Sequence, residues 1–222
     1  GALYPGGTGT IMQENMICSG LWELENRLYA QGKQRVCGVD EAGAGPLAGA
    51  VYAAAVILPP GLTLPYLDDS KKVTPKRRDM LFDQIREQAV GYAIAWADEA
   101  EIDQYNILNA RMLAMERAIR ALNPPPDYAL IDGNYNKGIT VPNETVVRGD
   151  SHSASIAAAS ILAKVSRDRY MAEVAKLYPE YEFERHKGYG TKRHFELLRM
   201  YGPCPIHRRS FLKKLEAAQG KE

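Results

Sequence analysis

Val36-Cys37-Gly38-Val39-Asp40-Glu41-Ala42-Gly43-Ala44-Gly45-Pro46-Leu47-Ala48-Gly49 is an apolar run that delivers two adjacent carboxylates into a glycine-rich loop. Side chains alternate along a strand, so Asp40 and Glu41 at its end serve one site only if the backbone twists or bends there. Gly43 and Gly45 permit that bend. Carboxylates beside bare backbone N–H groups suit hard cations and phosphate oxygens. The stretch reads as a strand feeding a metal-dependent site for a phosphate-bearing substrate. Taken alone, a solvated Asp-Glu pair opening an ordinary glycine turn has the same composition, so the rest of the chain decides.

Outward from this strand, Val51 to Leu58 is a second strand, stopped by Pro59-Pro60-Gly61. Val90 to Ala97 is a third, Tyr128 to Ile131 a fourth that ends in Asp132-Gly133, and Glu144 to Val147 a fifth. Met16 to Gln31 has the spacing of a short amphipathic helix. Thr74-Pro75 is an N-cap with proline at the first helical position, opening a helix to about Gln88. Glu101 to Leu122 reads as one long helix, closed by Asn123 and three prolines. Gly149-Asp150-Ser151 introduces an alanine-rich helix from about Ser153 to Leu177, and basic helices around Lys192 to Tyr201 and Ser210 to Ala217 finish the chain. Three early strands, then strands alternating with helices, indicate an α/β fold around one mixed five-stranded sheet flanked by helices. Residues 1–15 read as a flexible tail or an added remnant, 16–180 as the core, and 181–222 as a basic helical extension that contributes to substrate binding.

A chain of 222 residues with 45% hydrophobic and 25% charged residues has the make-up of a soluble globular protein with a sizeable core. No apolar run approaches the roughly 20 residues of a membrane span, and residues 1–10 carry neither the basic region nor the hydrophobic core of a signal peptide. Cys18, Cys37 and Cys204 are too scattered for a disulfide framework or a structural zinc site, so a reducing cytoplasm is the expected compartment. The net charge of +1 hides an uneven distribution. Arg185 to Lys214 holds nine Lys or Arg against a single acid, Glu196, interleaved with Tyr189, Phe195, Tyr201 and Phe211. Such interleaving suits a phosphate backbone, although a solvated helical face has the same charge.

Asp40, Glu41, Asp132 and Asp150 all fall at strand or helix ends, where layered α/β folds gather their catalytic groups. Separately, Asp132 is a turn aspartate and Asp150 an N-cap. Together, four carboxylates repel one another unless cations neutralise them. Two Mg²⁺ or Mn²⁺ ions resolve that repulsion and suit phosphodiester hydrolysis, and oxygen-only ligands favour these ions over zinc.

The combined motifs resemble bacterial ribonuclease HII, the type 2 ribonuclease H family. The resemblance rests on residues 38–43 and 45–49, Asp69-Ser70-Lys71-Lys72, Ile131-Asp132-Gly133, Gly149-Asp150-Ser151, residues 155–165 with Arg167-Asp168, residues 186–191 and His207-Arg208-Arg209-Ser210-Phe211. It spans roughly residues 20 to 212. The resemblance implies an RNase H-like fold with a carboxy-terminal helical extension. It implies endonucleolytic cleavage of the RNA strand of RNA/DNA hybrids, and nicking 5′ to single ribonucleotides embedded in duplex DNA. The family's four metal-binding acids map onto Asp40, Glu41, Asp132 and Asp150, and the tyrosine that packs against the neighbouring deoxyribose maps onto Tyr189. The backbone contacts to the 2′-OH, the group that distinguishes RNA from DNA, map onto Gly43, Ala44 and Gly45. Ala44 departs from the pattern, which has a basic residue, usually arginine, between the two glycines; a methyl group makes no charge-assisted bond to phosphate.

Lys71, Lys164 and Arg208 are candidate phosphate contacts or supports for groups that bind substrate, as is Lys187, whereas Lys72 reads as a surface cation. Asp168 is placed to orient a basic neighbour. His152, His186 and His207 read as hydrogen-bonding or packing residues. The alternatives are the sister family ribonuclease HIII, which usually carries an extra amino-terminal substrate-binding domain, and a catalytically impaired module that binds hybrids without cutting them. Monomer is the default expectation, and Leu212 to Glu222 carries no persuasive peptide for binding a sliding clamp.

Overall fold

The computed structural model describes residues 20–219. The expected tail 1–15, Cys18 and the beginning of the expected helix Met16–Gln31 lie outside the described residues. Five strands form one mixed sheet: β1 (Val36–Ala42), β2 (Val51–Ile57), β3 (Gly91–Ala97), β4 (Tyr128–Asp132) and β5 (Asn143–Val146). Their order is β3-β2-β1-β4-β5. The first three strands pair antiparallel, and β4 and β5 join β1 in parallel.

Alternation along β1 and β2 sends successive side chains into two separate cores. Ala54 and Val56 face α5 (Ala154–Leu177), α2 (Pro75–Gln88) and Trp22 of α1 (20–30). Cys37, Val39, Ala53 and Ala55 face α4 (Ile107–Arg120) and Ile102 of α3 (Glu99–Tyr105). The sheet is thus the middle of three layers. α5 is alanine-rich because it lies directly on β1. A Cβ on Gly38 would sit 2.1 Å from the Ser155 carbonyl carbon, so the glycine is what admits the helix.

The expected helix Glu101–Leu122 is two helices. Asn106, at φ 71°, ends α3, and its side chain caps α4 by accepting from the Asn109 N–H at 2.9 Å. The positive φ interrupts the helical run, and the Asn106 carboxamide takes up a donor that the start of α4 leaves without a helical partner. Periodicity alone does not reveal this break, because apolar spacing resumes beyond it.

The end of α5 runs into the carboxy-terminal helices α6 (Phe183–His186), α7 (Lys192–Tyr201) and α8 (Arg209–Gln219). Met171 and Val174 of α5 pack there with Tyr181, Phe183, Leu197, Ile206 and Ala48, a third core that ties the extension to the loop after β1. No helix among the described residues is long and apolar enough to cross a membrane.

Candidate active site

The parallel register matches Val39 with Ile131, so Asp40 and Asp132, one residue further on each strand, lie side by side at the carboxyl ends of β1 and β4. Both strand ends open onto the rim where α/β sheets bind ligands. Glu41 belongs by alternation to the opposite, α4 face, where Nη1 of Arg111 approaches its Oε1 at 3.5 Å. The chain bends at Gly43, φ 90°, and one oxygen each of Asp40, Glu41 and Asp132 comes within 4.8 Å of the others. Asp132 is aimed by the Gly149 N–H, which donates to its Oδ1 at 2.8 Å. The Glu41 N–H does the same for Asp40 at 2.7 Å.

Asp150 stands beside this trio. It is buried in the 3₁₀ turn Gly149–Ser151, lines the same cleft, and its Oδ1 meets Lys71 Nζ at 3.3 Å. Gly43, Ala44, Lys71, Lys164 and Tyr189 line the cleft as well. Lys164 is held by Asp168, at 3.1 Å one helical turn on.

Burial and the neighbouring charges of Glu41 and Asp132 push the Asp40 carboxyl well above its ordinary range. Burial also raises Glu41, against the opposing pull of Arg111. Glu41 Oε2 is buried without a hydrogen-bond partner, and so are Nε and Nη2 of Arg111. Clustered oxygen donors, mutual repulsion and an orphaned carboxylate oxygen fit a hard divalent cation.

Arg208 is placed differently from a phosphate contact. It is fully buried and donates to the carbonyls of Gly43, Ala44, Pro46 and Gly49 at 2.6 to 2.9 Å. The expectation that it touches substrate is corrected: its planar fork of donors is spent on the loop backbone. Arg167, also buried, donates to the carbonyls of Ala48, Ala50 and Lys187. Burial lowers both pKa values, that of Arg208 to about 9 with the charge of Arg167 as the second cause. Two guanidinium groups therefore pin loop 43–50 from behind and place two positive charges under it. Gly43 has no room for a side chain, since a Cβ would lie 1.9 Å from Arg167 Nε.

Three functional positions were missed in the sequence. Arg111 falls on the buried stripe of α4 that also holds Ala114, Met115 and Ala118, so a charge at apolar spacing was the available signal. Arg167 falls within the motifs that carry the family resemblance, but nothing local marks its role, because its partners are carbonyls 20 to 119 residues away. His194 likewise gains its role only in three dimensions.

The family model described as ribonuclease HII matches residues 37–214. The ribonuclease HII of Caldicellulosiruptor saccharolyticus is 51% identical over 194 residues, covering 87% of this chain and 95% of that protein. That of Endomicrobium trichonymphae is 53% identical over 194 residues, covering 87% and 92%. Among solved structures, the ribonuclease H2 of Pyrococcus horikoshii OT3 superposes with a TM-score of 0.64 at 24% identity, covering 80% of this chain and 93% of that one, a likeness of fold. These matches decide between the two sister families left open by the motifs. The chain belongs to the ribonuclease HII family, and with it to the ribonuclease H enzymes.

Proposed function

We propose that this chain is a metal-dependent endonuclease that cuts the RNA strand of RNA/DNA hybrids and nicks 5′ to single ribonucleotides in duplex DNA. The observation that carries this reading is the meeting of the Asp40, Glu41 and Asp132 oxygens within 4.8 Å, at a cleft lined by Asp40, Glu41, Asp150, Gly43 and Ala44. Asp40, Glu41, Asp132 and Asp150 would hold Mg²⁺ or Mn²⁺. Bound there, divalent ions supply Lewis-acid activation and charge neutralisation for in-line phosphodiester hydrolysis.

The residues of the chain do the rest. Lys71 and Lys164 offer ammonium groups to the substrate's phosphates from opposite elements of the cleft. Loop 43–45, its carbonyls at 43 and 44 tied back by Arg208, turns toward the substrate a backbone surface that reads the 2′-OH. Tyr189 offers a ring face to the sugar next to the ribonucleotide, and the basic segment 181–222 steadies the duplex. Ala44 leaves this scheme without the family's basic side chain, which weakens the grip on phosphate and spares the metal site. The account predicts cleavage of a uniformly labelled RNA/DNA hybrid with Mn²⁺ or Mg²⁺, abolished by EDTA and by Asp132→Asn. Metal-independent cleavage, or full activity in Asp132→Asn, would overturn it.

A further inference from the structure

Three buried histidines join the cleft's aromatic wall to its glycine wall, and their partners fix every ring nitrogen. The Cys204 N–H donates to His207 Nδ1 at 2.9 Å, so His207 carries its proton on Nε2. That Nε2 lies 2.8 Å from His194 Nε2, which must accept. His194 Nδ1 therefore bears the proton, and it points at the Tyr189 carbonyl at 2.8 Å. His186, stacked on His194 with ring centroids 4.1 Å apart, accepts from the Gly188 N–H on Nδ1 and donates from Nε2 to the Tyr181 carbonyl. All six nitrogens are satisfied by one arrangement of neutral rings.

The far end of this chain is anchored in the glycine loop. His207 bridges Ala48, the Arg208 N–H donates to the Leu47 carbonyl, and the Gly49 N–H donates to the Ile206 carbonyl. At the near end, the Leu47 N–H donates to the Gly188 carbonyl, and a Cβ on Gly45 would lie 3.8 Å from the Tyr189 ring.

We propose that His194 is a positioning residue for Tyr189: the proton that the His207 N–H fixes on His194 Nδ1 is donated to the Tyr189 carbonyl, and that bond sets the spacing of the tyrosine from the glycine loop, and so the fit of the sugar between them. This rests on the reading of Tyr189 as the wall that meets the substrate.

Two substitutions separate the ring's two roles. His194→Asn keeps a donor at the δ position, toward Tyr189; His194→Gln keeps an acceptor at the ε position, toward His207, and loses the donor. With a DNA duplex containing one ribonucleotide and Mn²⁺, His194→Gln is expected to lose at least about 10-fold in kcat/KM, since small misplacements of a positioning group carry such losses, and His194→Asn to retain most of it. On a Tyr189→Ala background the difference between Asn and Gln is expected to vanish. Persistence of that difference on this background would overturn the proposal, because the histidine would then act on the fold at large. Tyr189→Ala alone tests the underlying reading: a loss in that variant with an unchanged Asn–Gln difference condemns the relay only, and no loss condemns the reading. The ¹⁵N shifts of the imidazoles in the unsubstituted protein give a check that no folding defect can obscure. The expected tautomers are Nδ1–H for His194 and Nε2–H for His186 and His207; Nε2–H at His194 would overturn the proposal.

Discussion

Glu25→Gln should stabilise the protein at alkaline pH and cost it about 1 kcal/mol in acid. Trp22, Glu25 and Leu28 are the buried stripe of α1, and Glu25 is fully buried. Neither carboxyl oxygen completes a hydrogen bond. Burial raises its pKa from 4.5 to about 7, offset in part by Ser153 and the Ala154 N–H at the start of α5. A carboxyl so raised holds its proton more tightly folded than unfolded, by about 3 kcal/mol at 1.36 kcal/mol per pH decade. The sign follows from linkage. Below pH 4.5 both states are protonated and this contribution is fully present. Between 4.5 and about 7 only the unfolded state ionises, so stability falls as pH rises, and above 7 the loss is complete. Glutamine does not ionise, but its amide adds N–H donors that cost about 1 kcal/mol if unmet. The net gain at pH 8 is about 2 kcal/mol, or roughly 4 to 8 °C in Tm for a chain of this size. Thermal unfolding of both proteins at pH 4.5 and pH 8, with EDTA present, reads the difference directly. A variant less stable than the original at pH 8, or a gap that does not change with pH, would refute the reasoning.

Three further outcomes follow from the site and its supports. Gly43→Ala forces a Cβ into Arg167 at a positive φ; denaturant unfolding should show a loss of about 2 to 4 kcal/mol, with nuclease activity falling alongside. Ala44→Arg should raise kcat/KM on both hybrid and single-ribonucleotide duplexes and steepen the salt dependence of binding, because it adds one phosphate contact; calorimetric Mn²⁺ affinity should not move. Burial lowers the pKa of His194 to about 4 and of His207 to about 3, with Arg209 opposing protonation of His207 and Tyr181, Cys204, Glu182 and Glu184 around the cluster. Because these folded values lie below 6.5, stability is intact above that pH and falls as pH drops from 6.5 toward 3; His207→Phe should flatten that fall in acid unfolding curves.

The sheet was legible because β1 and β2 are apolar runs between glycine and proline stops, and Asp132 repeats the strand-acid-glycine pattern of Asp40. The coincidence of the three acids was legible as a need for a bend, which Gly43 supplies. What could not be read was long-range polar pairing. Arg208 lies in a motif that left phosphate contact and support of a binding group both open; a guanidinium and a carbonyl 159 to 165 residues apart leave no local mark to choose between them. Asn106 breaks the helix without a mark in the pattern, because a positive-φ residue that caps its successor preserves the apolar rhythm on both sides. Of the clustered histidines, His186 and His207 are legible in the sequence as hydrogen-bonding or packing residues and His194 is not, and the direction of their relay depends on which backbone groups reach each nitrogen.

The central claim is that the four carboxylates form a metal-dependent centre that recognises a single ribonucleotide. Its most direct test is incubation of the protein with a duplex of DNA containing one ribonucleotide, in Mn²⁺ or Mg²⁺ and in EDTA, beside an all-DNA duplex and the Asp132→Asn variant. The account predicts one metal-dependent nick on the 5′ side of the ribonucleotide, absent from both controls. Binding of the duplex without any nick in either metal would contradict it and leave a hybrid-binding module in its place.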